Sequence, residues 1–587
     1  MLLFSRGQPR EALAIVAALL EREPANADAL NIAGACARRL GQLDAAEAYW
    51  RRALKEDPDF ADVHSNLGNL LRVTRRFPEA EERYRRALAI QPDHAEAQNN
   101  LGVLLQEMER PGEAEAAYRQ AIAIRPDHAN AHNNLGNLLR VAKRYSAAET
   151  AYRQALAIRP DHAEVHHNLG ILLRDADRLF EAEAAYRRAL TIRPDYAEAH
   201  NHLGHLLQEL KRFPEAEASY QQALALRPDY AEAHNNLGYL LRKMNRFAEA
   251  EAAYRQALAI RPDYAEARWS LGLLLLYTGR WPEGWPLYEA RHQGENRSGA
   301  HLIQPTFAYP QWQGESLEGR SILVHWEQGL GDQIQFVRYL SDLKARGARH
   351  VTLVCSPRLR SLFEGIDGAD AVLTTDEAAN APAHDVWAFM LSLPLHLGTT
   401  LDTVPTRIPY LRPTAERLYT WESRLPTARP RIGLAWKGGT AYANDRNRSL
   451  TSLKELAPLW DVPGTHFVSL QKGQGEDEGA TPPPDQPLTH LGSDVESFAD
   501  DAAIIAQLDL VISVDTAIAH LAGALGKPCW ILLPSVDTDW RWLDEGTDSP
   551  WYPGTTRLFR QSHLDDWAPT IGEVAEALRR FCQDRAA

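Results

Sequence analysis

Through the first half of the chain, apolar residues fall three and four apart on paired segments separated by a short polar turn, as in PDHAEAQNNLGVLLQEMERPGEAEAAYRQAIAIR, residues 92–125. That spacing puts an apolar stripe on each segment, so the unit predicts a helical hairpin that buries the two stripes against one another. Prolines at 24, 58, 92, 126, 160, 194, 228 and 262 recur every 34 residues, and glycines at 34, 68, 102, 136, 170, 204, 238 and 272 keep the same interval. A fixed period of this length marks stacked repeats rather than one core. Within the quoted unit, Gly102 lets the two helices approach closely, Ala114 and Tyr118 form the packing face of the second helix, and Pro126, which has no N–H to donate, ends the hairpin.

Eight such repeats begin near residue 27, and both ends of the array depart from the pattern. The eighth replaces the small alanine with Gly284, adds Trp281 and Trp285 and lacks the closing proline, as expected of a repeat that docks on a neighbouring domain. Residues 1–26 supply only a second helix, so either the array is capped abruptly or the gene starts upstream.

From Arg297 to Arg320 the period disappears into a stretch rich in Gly, Pro and Gln. Beyond it the pattern changes. SILVHW, HVTLVCS and DAVLTT read as strands separated by the helical IQFVRYLSDLKARG and PRLRSLFEGI. A second series runs through the strands RIGLAW, THFVSLQ, DLVISV and PCWILLP, with helices over FADDAAIIAQL and TAIAHLAGALG. Strands alternating with helices predict parallel sheets with right-handed crossovers, whose ligands sit at the carboxyl ends of the strands. The expected organisation is an α-solenoid over 1–296, a linker over 297–320 and an α/β domain of two doubly wound lobes, 321–428 and 429–587.

At 587 residues the chain exceeds what a single core holds. With 64 Lys and Arg against 78 Asp and Glu, a net charge of −14, and no basic block, nucleic acid is not an expected partner. Four well-separated cysteines form no CxxC pair, which excludes a disulfide framework or zinc ribbon and fits a reducing compartment. The N-terminal segment lacks a basic n-region and a cleavage site, and no apolar run reaches the ~18–20 residues that span a bilayer. A cytoplasmic protein without a membrane span is the expectation.

Candidate chemistry collects at the strand ends. The turn EQGLGDQ after the first strand brings Asp332 to the start of a helix, either as a general base or as a helix cap. The turn is neither GxGxxG nor a Walker loop, so nicotinamide cofactors and ATP hydrolysis are not indicated. DLVISV ends at Asp515-Thr516, where a helix opens; its amides and dipole make an anion site, with a plain cap as the alternative. Lys437, Arg446 and Arg448 add positive charge near the same sheet edge or are simply solvated. His520 touches a ligand or only packs, and Trp540, Arg541, Trp542, Trp551 and Tyr552 stack on a base or close a lobe edge. In the repeats, Asn66, Asn100, Asn134, Asn168 and Asn236, interrupted by His202, stand before each Leu-Gly. Amides one repeat apart can hold successive peptide groups of an extended chain, or merely face solvent.

The repeat unit resembles the tetratricopeptide family over about residues 1–295, and the asparagine row resembles the ladder in O-GlcNAc transferases. EQGLGDQIQFVRYL, FMLSLP, LAWKGG with NDRNRSL, VSLQKG, ISVDTAIAHLAGALGKPCWILLP and DWRWL with SPWYPGTTRLFRQ are together similar to the glycosyltransferase domain of bacterial tetratricopeptide proteins. That domain is in turn similar to ADP-heptose:lipopolysaccharide heptosyltransferases, a looser likeness carried by the Gly-Asp after the first strand and the Asp-Thr…His-Leu-Ala helix. The resemblance implies a GT-B fold and inverting, metal-independent transfer from a nucleotide sugar, with no cofactor. It implies Asp332 as base, and Gly331, Lys437, Arg446, Arg448, Gln471, Lys472, Asp515, Thr516, Ala517 and His520 around the donor. The acceptor is then a polypeptide in the groove of Asn66, Asn100, Asn134, Asn168, His202 and Asn236. Transfer to a glycan or lipid-linked acceptor, or a scaffold whose transferase domain has decayed, are the alternatives.

Overall fold

The computed structural model describes residues 7–293, 305–378, 381–440 and 444–586. Within these, the chain forms two compact units, one up to Pro228 and one from Asp229 onward. The first residues of the expected linker, 297–304, lie outside the described residues.

The first unit is a run of antiparallel hairpins, for example Ala95–Glu107 with Pro111–Ile124 and Ala129–Val141 with Tyr145–Ile158. Their spacing follows from one close approach repeated in each hairpin. A Cβ added to Gly102 would lie 2.6 Å from the ring of Tyr118, and one added to Gly136 2.6 Å from that of Tyr152, so only glycine admits the buried ring. The tyrosine hydroxyl then reaches back to the first helix, Tyr152 donating to Asn137 Oδ1 at 2.6 Å. In several hairpins an arginine just before the second helix pairs forward and backward. Arg110 holds Glu113 in its own hairpin and Glu81 in the preceding one, and Arg178 holds Glu181 and Glu149. These exposed pairs set register between neighbours more than they add stability.

The second unit contains the last two repeats, with helices Ala231–Lys243, Phe247–Ile260, Ala265–Tyr277 and Trp281–Tyr288, together with the α/β region. One parallel sheet is built from β1 (Ser321–His325), β2 (His350–Cys355), β3 (Ala371–Thr374) and β4 (Val386–Phe389), in the order β3-β2-β1-β4. The other comprises β5 (Arg431–Ala435), β6 (His466–Ser469), β7 (Thr489–His490), β8 (Leu510–Val514), β9 (Cys529–Leu533) and β10 (Thr556–Arg560), ordered β10-β9-β8-β5-β6-β7. Both are entirely parallel. The helix expected over IQFVRYLSDLKARG is interrupted: Leu330–Phe336 and Leu340–Ala345 are separated by a 3₁₀ turn at Val337–Tyr339.

The tryptophans that distinguish the eighth repeat bury themselves on the α/β region. Trp281 stacks on Trp551 with ring centres 5.0 Å apart, Trp285 meets Trp540 edge-on at 5.3 Å, and the Trp285 indole N–H donates to the Thr399 carbonyl at 2.9 Å. Such pairs add to the large area that these rings bury. Residues 305–320 are not an exposed tether. Trp312 and Leu317 are buried, and the Trp312 N–H donates to the Trp387 carbonyl at the edge of β4, because this polar stretch carries apolar residues that the sheet can cover. Among the described residues no helix is long and apolar enough to cross a membrane.

Candidate functional site

Each sheet reverses its strand order once, between β1 and β4 in the first and between β5 and β8 in the second. Crossovers leave in opposite directions at such a point, opening a crevice at the carboxyl ends of the two central strands. The loops there carry the candidate residues: Trp326 to Asp332 after β1, Trp436 to Gly439 after β5, and Asp515-Thr516 after β8.

The loops from the two sheets meet. Helix Leu330–Phe336 packs its first turn on helix Ala517–Ala524, and a Cβ on Gly331 would fall 2.8 Å from His520 Cδ2 and 3.5 Å from Ala517 Cα. Gly331 therefore serves the contact between the loops. Asp332 caps its own helix, Oδ2 accepting the Gly329 N–H at 2.6 Å, while Oδ1 pairs with Arg541, a residue 209 positions away. The cap alternative is thus realised, and the carboxylate also reaches the β9–β10 loop through Arg541. Burial raises the Asp332 pKa and Arg541 opposes that rise. Arg541 also grips both oxygens of Asp539, at 2.8 and 2.9 Å; although burial works against its charge, Asp539 and Asp332 hold it protonated beyond the ordinary range.

Asp515 is buried, and its pKa is pushed up to about 6, first by burial and then by Asp539, against Arg448 and the Trp542 indole. Arg448 donates to the Asp515 carbonyl at 2.7 Å and pairs with Asp445 at 3.3 Å. Gly438 is what permits that approach, since a Cβ there would sit 2.5 Å from the Arg448 guanidinium. Thr516 stands at the N-terminus of helix Ala517–Ala524 but turns its hydroxyl to Ser513 at 3.1 Å, so no side chain caps the first turn. That terminus keeps its capacity for an anion.

Other expected donor contacts are engaged elsewhere. Lys437, read from the sequence as mobile positive charge, is ion-paired with Glu478, whose other oxygen accepts from Ser452 and the Leu453 N–H. Gln471 is buried and braces the β5 loop, accepting the N–H groups of Trp436 and Lys437 at 2.9 and 3.0 Å and donating to the carbonyls of Lys437 and Gln474. Lys472 ties down the carbonyls of Gly492 and Val495 at 2.7 and 2.6 Å, and Arg446 is exposed. His520 packs. It stacks on Trp542 at 5.2 Å and bonds the Tyr552 hydroxyl at 3.0 Å, and burial followed by Arg541, Arg338 and Arg448 hold it neutral. The aromatic group around it, Trp540, Trp542, Trp551 and Tyr552, is core rather than an open stacking surface.

Residues that sequence reasoning passed over complete the crevice. Glu327, buried in the turn after β1, forms a two-pronged pair with buried Arg291 at 2.9 Å and accepts the Leu391 N–H from the loop after β4, joining the two central strands of the first sheet. Arg338 holds the Trp551 carbonyl at 2.6 Å, the Pro405 carbonyl at 3.1 Å and the Tyr410 hydroxyl at 2.9 Å, joining segments that border the two sheets. A glutamate directly after a strand in a Gly-rich turn is a usable signal for the first. Among the described residues no group of three His, Cys, Asp or Glu side chains is arranged to hold a metal ion.

In the repeats of the first unit, Asn66, Asn100, Asn134, Asn168 and His202 are half-buried rather than solvated. Asn66, Asn134 and Asn168 each donate to an asparagine one repeat back, Asn31, Asn99 and Asn133, at 3.1, 3.0 and 3.0 Å. The side chains that face the groove therefore also tie repeat to repeat. Each of these bonds uses one of the amide's two N–H groups. His202 bonds His167 at 2.7 Å in the same register, and Asn236, in the second unit, is buried.

Comparison with known proteins agrees with the repeat geometry. The tetratricopeptide repeat family matches residues 59–127, 127–195 and 195–263 in one form and 1–61 and 235–299 in another. FlbA of Caulobacter vibrioides is 32% identical over 326 residues, which are 51% of this chain and 52% of that protein, so the chain spans about half the length of this curated relative. Among solved structures, the APC/C hetero-tetramer Cut9–Hcn1 is 19% identical, covering 46% of this chain and 54% of its own at a TM-score of 0.40. PilF of Pseudomonas aeruginosa is 22% identical, covering 34% and 92% at a TM-score of 0.32. The N-terminal half of this chain is an array of tetratricopeptide repeats, followed by an α/β region of parallel sheets.

Proposed function

We propose that the α/β region is a GT-B glycosyltransferase that moves a sugar from a nucleotide-sugar donor to a polypeptide held by the repeats, by inverting, metal-independent chemistry. The observation that carries the reading is the packing of the Asp332-bearing turn, through Gly331, against the first turn of helix Ala517–Ala524, whose N-terminus has no side-chain cap, at the switch points of two parallel sheets. In this reading the donor diphosphate lies on the amides after Asp515, and Arg448 balances charge as it departs. Asp332 takes the proton of the attacking hydroxyl, for which Arg541 must yield one carboxylate oxygen. Burial raises the basicity of Asp332 and Arg541 opposes it, so the shift runs in the direction that a general base needs. The repeats supply the acceptor through amides with remaining hydrogen-bonding capacity.

One observation favours a scaffold with an idle transferase domain: Lys437 and both oxygens of Asp332 are already engaged. Binding separates the two readings. A thermal-shift panel of nucleotide sugars in chelator is expected to reveal one donor that, at about 100 times its Kd, stabilises the chain by roughly 2.7 kcal/mol. Stabilisation by none of them, or only with a divalent cation, would overturn respectively the transferase reading or its metal-independent form.

A further inference from the structure

The loop between β9 and β10 carries Asp539 and Arg541, and its backbone is held in conformations that side chains rarely adopt. Asp537 sits at φ 53°, and Leu543 at φ 56°, ψ 174°, a region populated almost solely by glycine. Such conformations persist only where surrounding contacts impose them. The contacts here come from the repeats. Arg242 reaches Asp537 Oδ1 at 2.7 Å and Lys243 reaches Oδ2 at 3.3 Å, both from the last turn of helix Ala231–Lys243. Further along, the Asp544 N–H donates to the Tyr277 carbonyl at 3.1 Å, at the end of the eighth repeat's first helix. Between these two anchors Trp540 packs on Trp285, and Arg541 extends to Asp332. The Asp537 carbonyl accepts from Asn444 at 2.9 Å, directly before the turn that bears Arg448.

We propose that Arg242 and Lys243 of the seventh repeat are positioning residues for the transferase site, clasping Asp537 so that the strained loop presents Arg541 to Asp332. The inference rests on the transferase reading and adds that the last two repeats are a working part of the donor site, beyond presenting an acceptor. The Asp537 carboxylate is little exposed, 14%, so its loss leaves two cations without their common partner on the loop. The loop then relaxes, and Arg541 loses its fixed approach to the other lobe.

The test uses the full chain and the nucleoside diphosphate that it binds most tightly among ADP, GDP, UDP and CDP. Asp537→Asn is expected to weaken that binding at least tenfold and to speed amide exchange in two places, residues 535–544 and residues 327–334 across the crevice, with exchange in the earlier repeats unchanged. Arg242→Gln should act in the same direction and add nothing to Asp537→Asn, since the ion pair it removes is already lost there, whereas Arg242→Lys should retain near wild-type affinity. Faster exchange confined to 535–544 with unaltered affinity overturns the inference while leaving the transferase reading in place. A wild-type chain that binds none of the four diphosphates overturns that reading, and this inference with it.

Discussion

Replacing Asp515 by Asn removes a buried charge while keeping shape, and the structure sets both sign and size of the effect. Asp515 is 8% exposed, and burial with Asp539 nearby lifts its pKa from 3.8 to about 6. A raised acid favours the folded state while protonated. Its stabilising contribution is complete below the unfolded pKa and disappears as pH climbs from about 4 to about 6. The difference of about 2 units corresponds to about 3 kcal/mol at neutral pH. Asp515→Asn should therefore stabilise the second unit by as much as ~3 kcal/mol at pH 7 and gain little at pH 4. Tryptophan fluorescence in urea reads this unit, since of 15 tryptophans Trp50 alone precedes residue 229. Wild-type stability that does not fall between pH 4 and pH 6, or a variant less stable than wild type at pH 7, would refute the reasoning.

Gly136→Ala sets a new Cβ 2.6 Å from the Tyr152 ring, and overpacking of about 1–3 kcal/mol should outweigh the ~1 kcal/mol that alanine gains in a helix. Gly112→Ala meets nothing within 4 Å and should stabilise by a few tenths to ~1 kcal/mol, so the same substitution in one array changes sign; urea unfolding followed by circular dichroism checks both. Asn134→Ala and Asn168→Ala should each cost about 1 kcal/mol of stability by the same measurement, because each leaves a buried asparagine oxygen of the preceding repeat without its donor.

The repeat half was legible because one interaction recurs: a glycine, a tyrosine and a proline in fixed register determine the hairpin, and no distant residue is needed. In the α/β half the buried strands β1, β2, β5, β8 and β9 announced themselves as short apolar runs. Strands β4, β7 and β10 did not stand out from their surroundings: β7 has two residues, β4 only four, and β10 carries two arginines among its five. The site was legible as loops at strand ends, since Asp332, Asp515 and Thr516 follow directly from that rule. What each side chain does there was not. Whether Lys437 is free or paired depends on Glu478, 41 residues on, and the state of Asp332 depends on Arg541, 209 residues on. Pairings at that separation are created by the fold and leave no local pattern. The asparagine row illustrates the same point at 35 residues, where position suggested amides open to an extended chain or to solvent and the structure spends one N–H of each donor on the neighbouring repeat.

The most direct test of the central claim is turnover: release of nucleoside diphosphate from a nucleotide sugar by the full chain, in chelator and with a polypeptide acceptor, compared between wild type and Asp332→Asn. The account predicts turnover by the wild type and a fall of about 10²–10⁴-fold in the variant at saturating donor. Equal turnover by the two proteins, or none by the wild type with any nucleotide sugar, would contradict it.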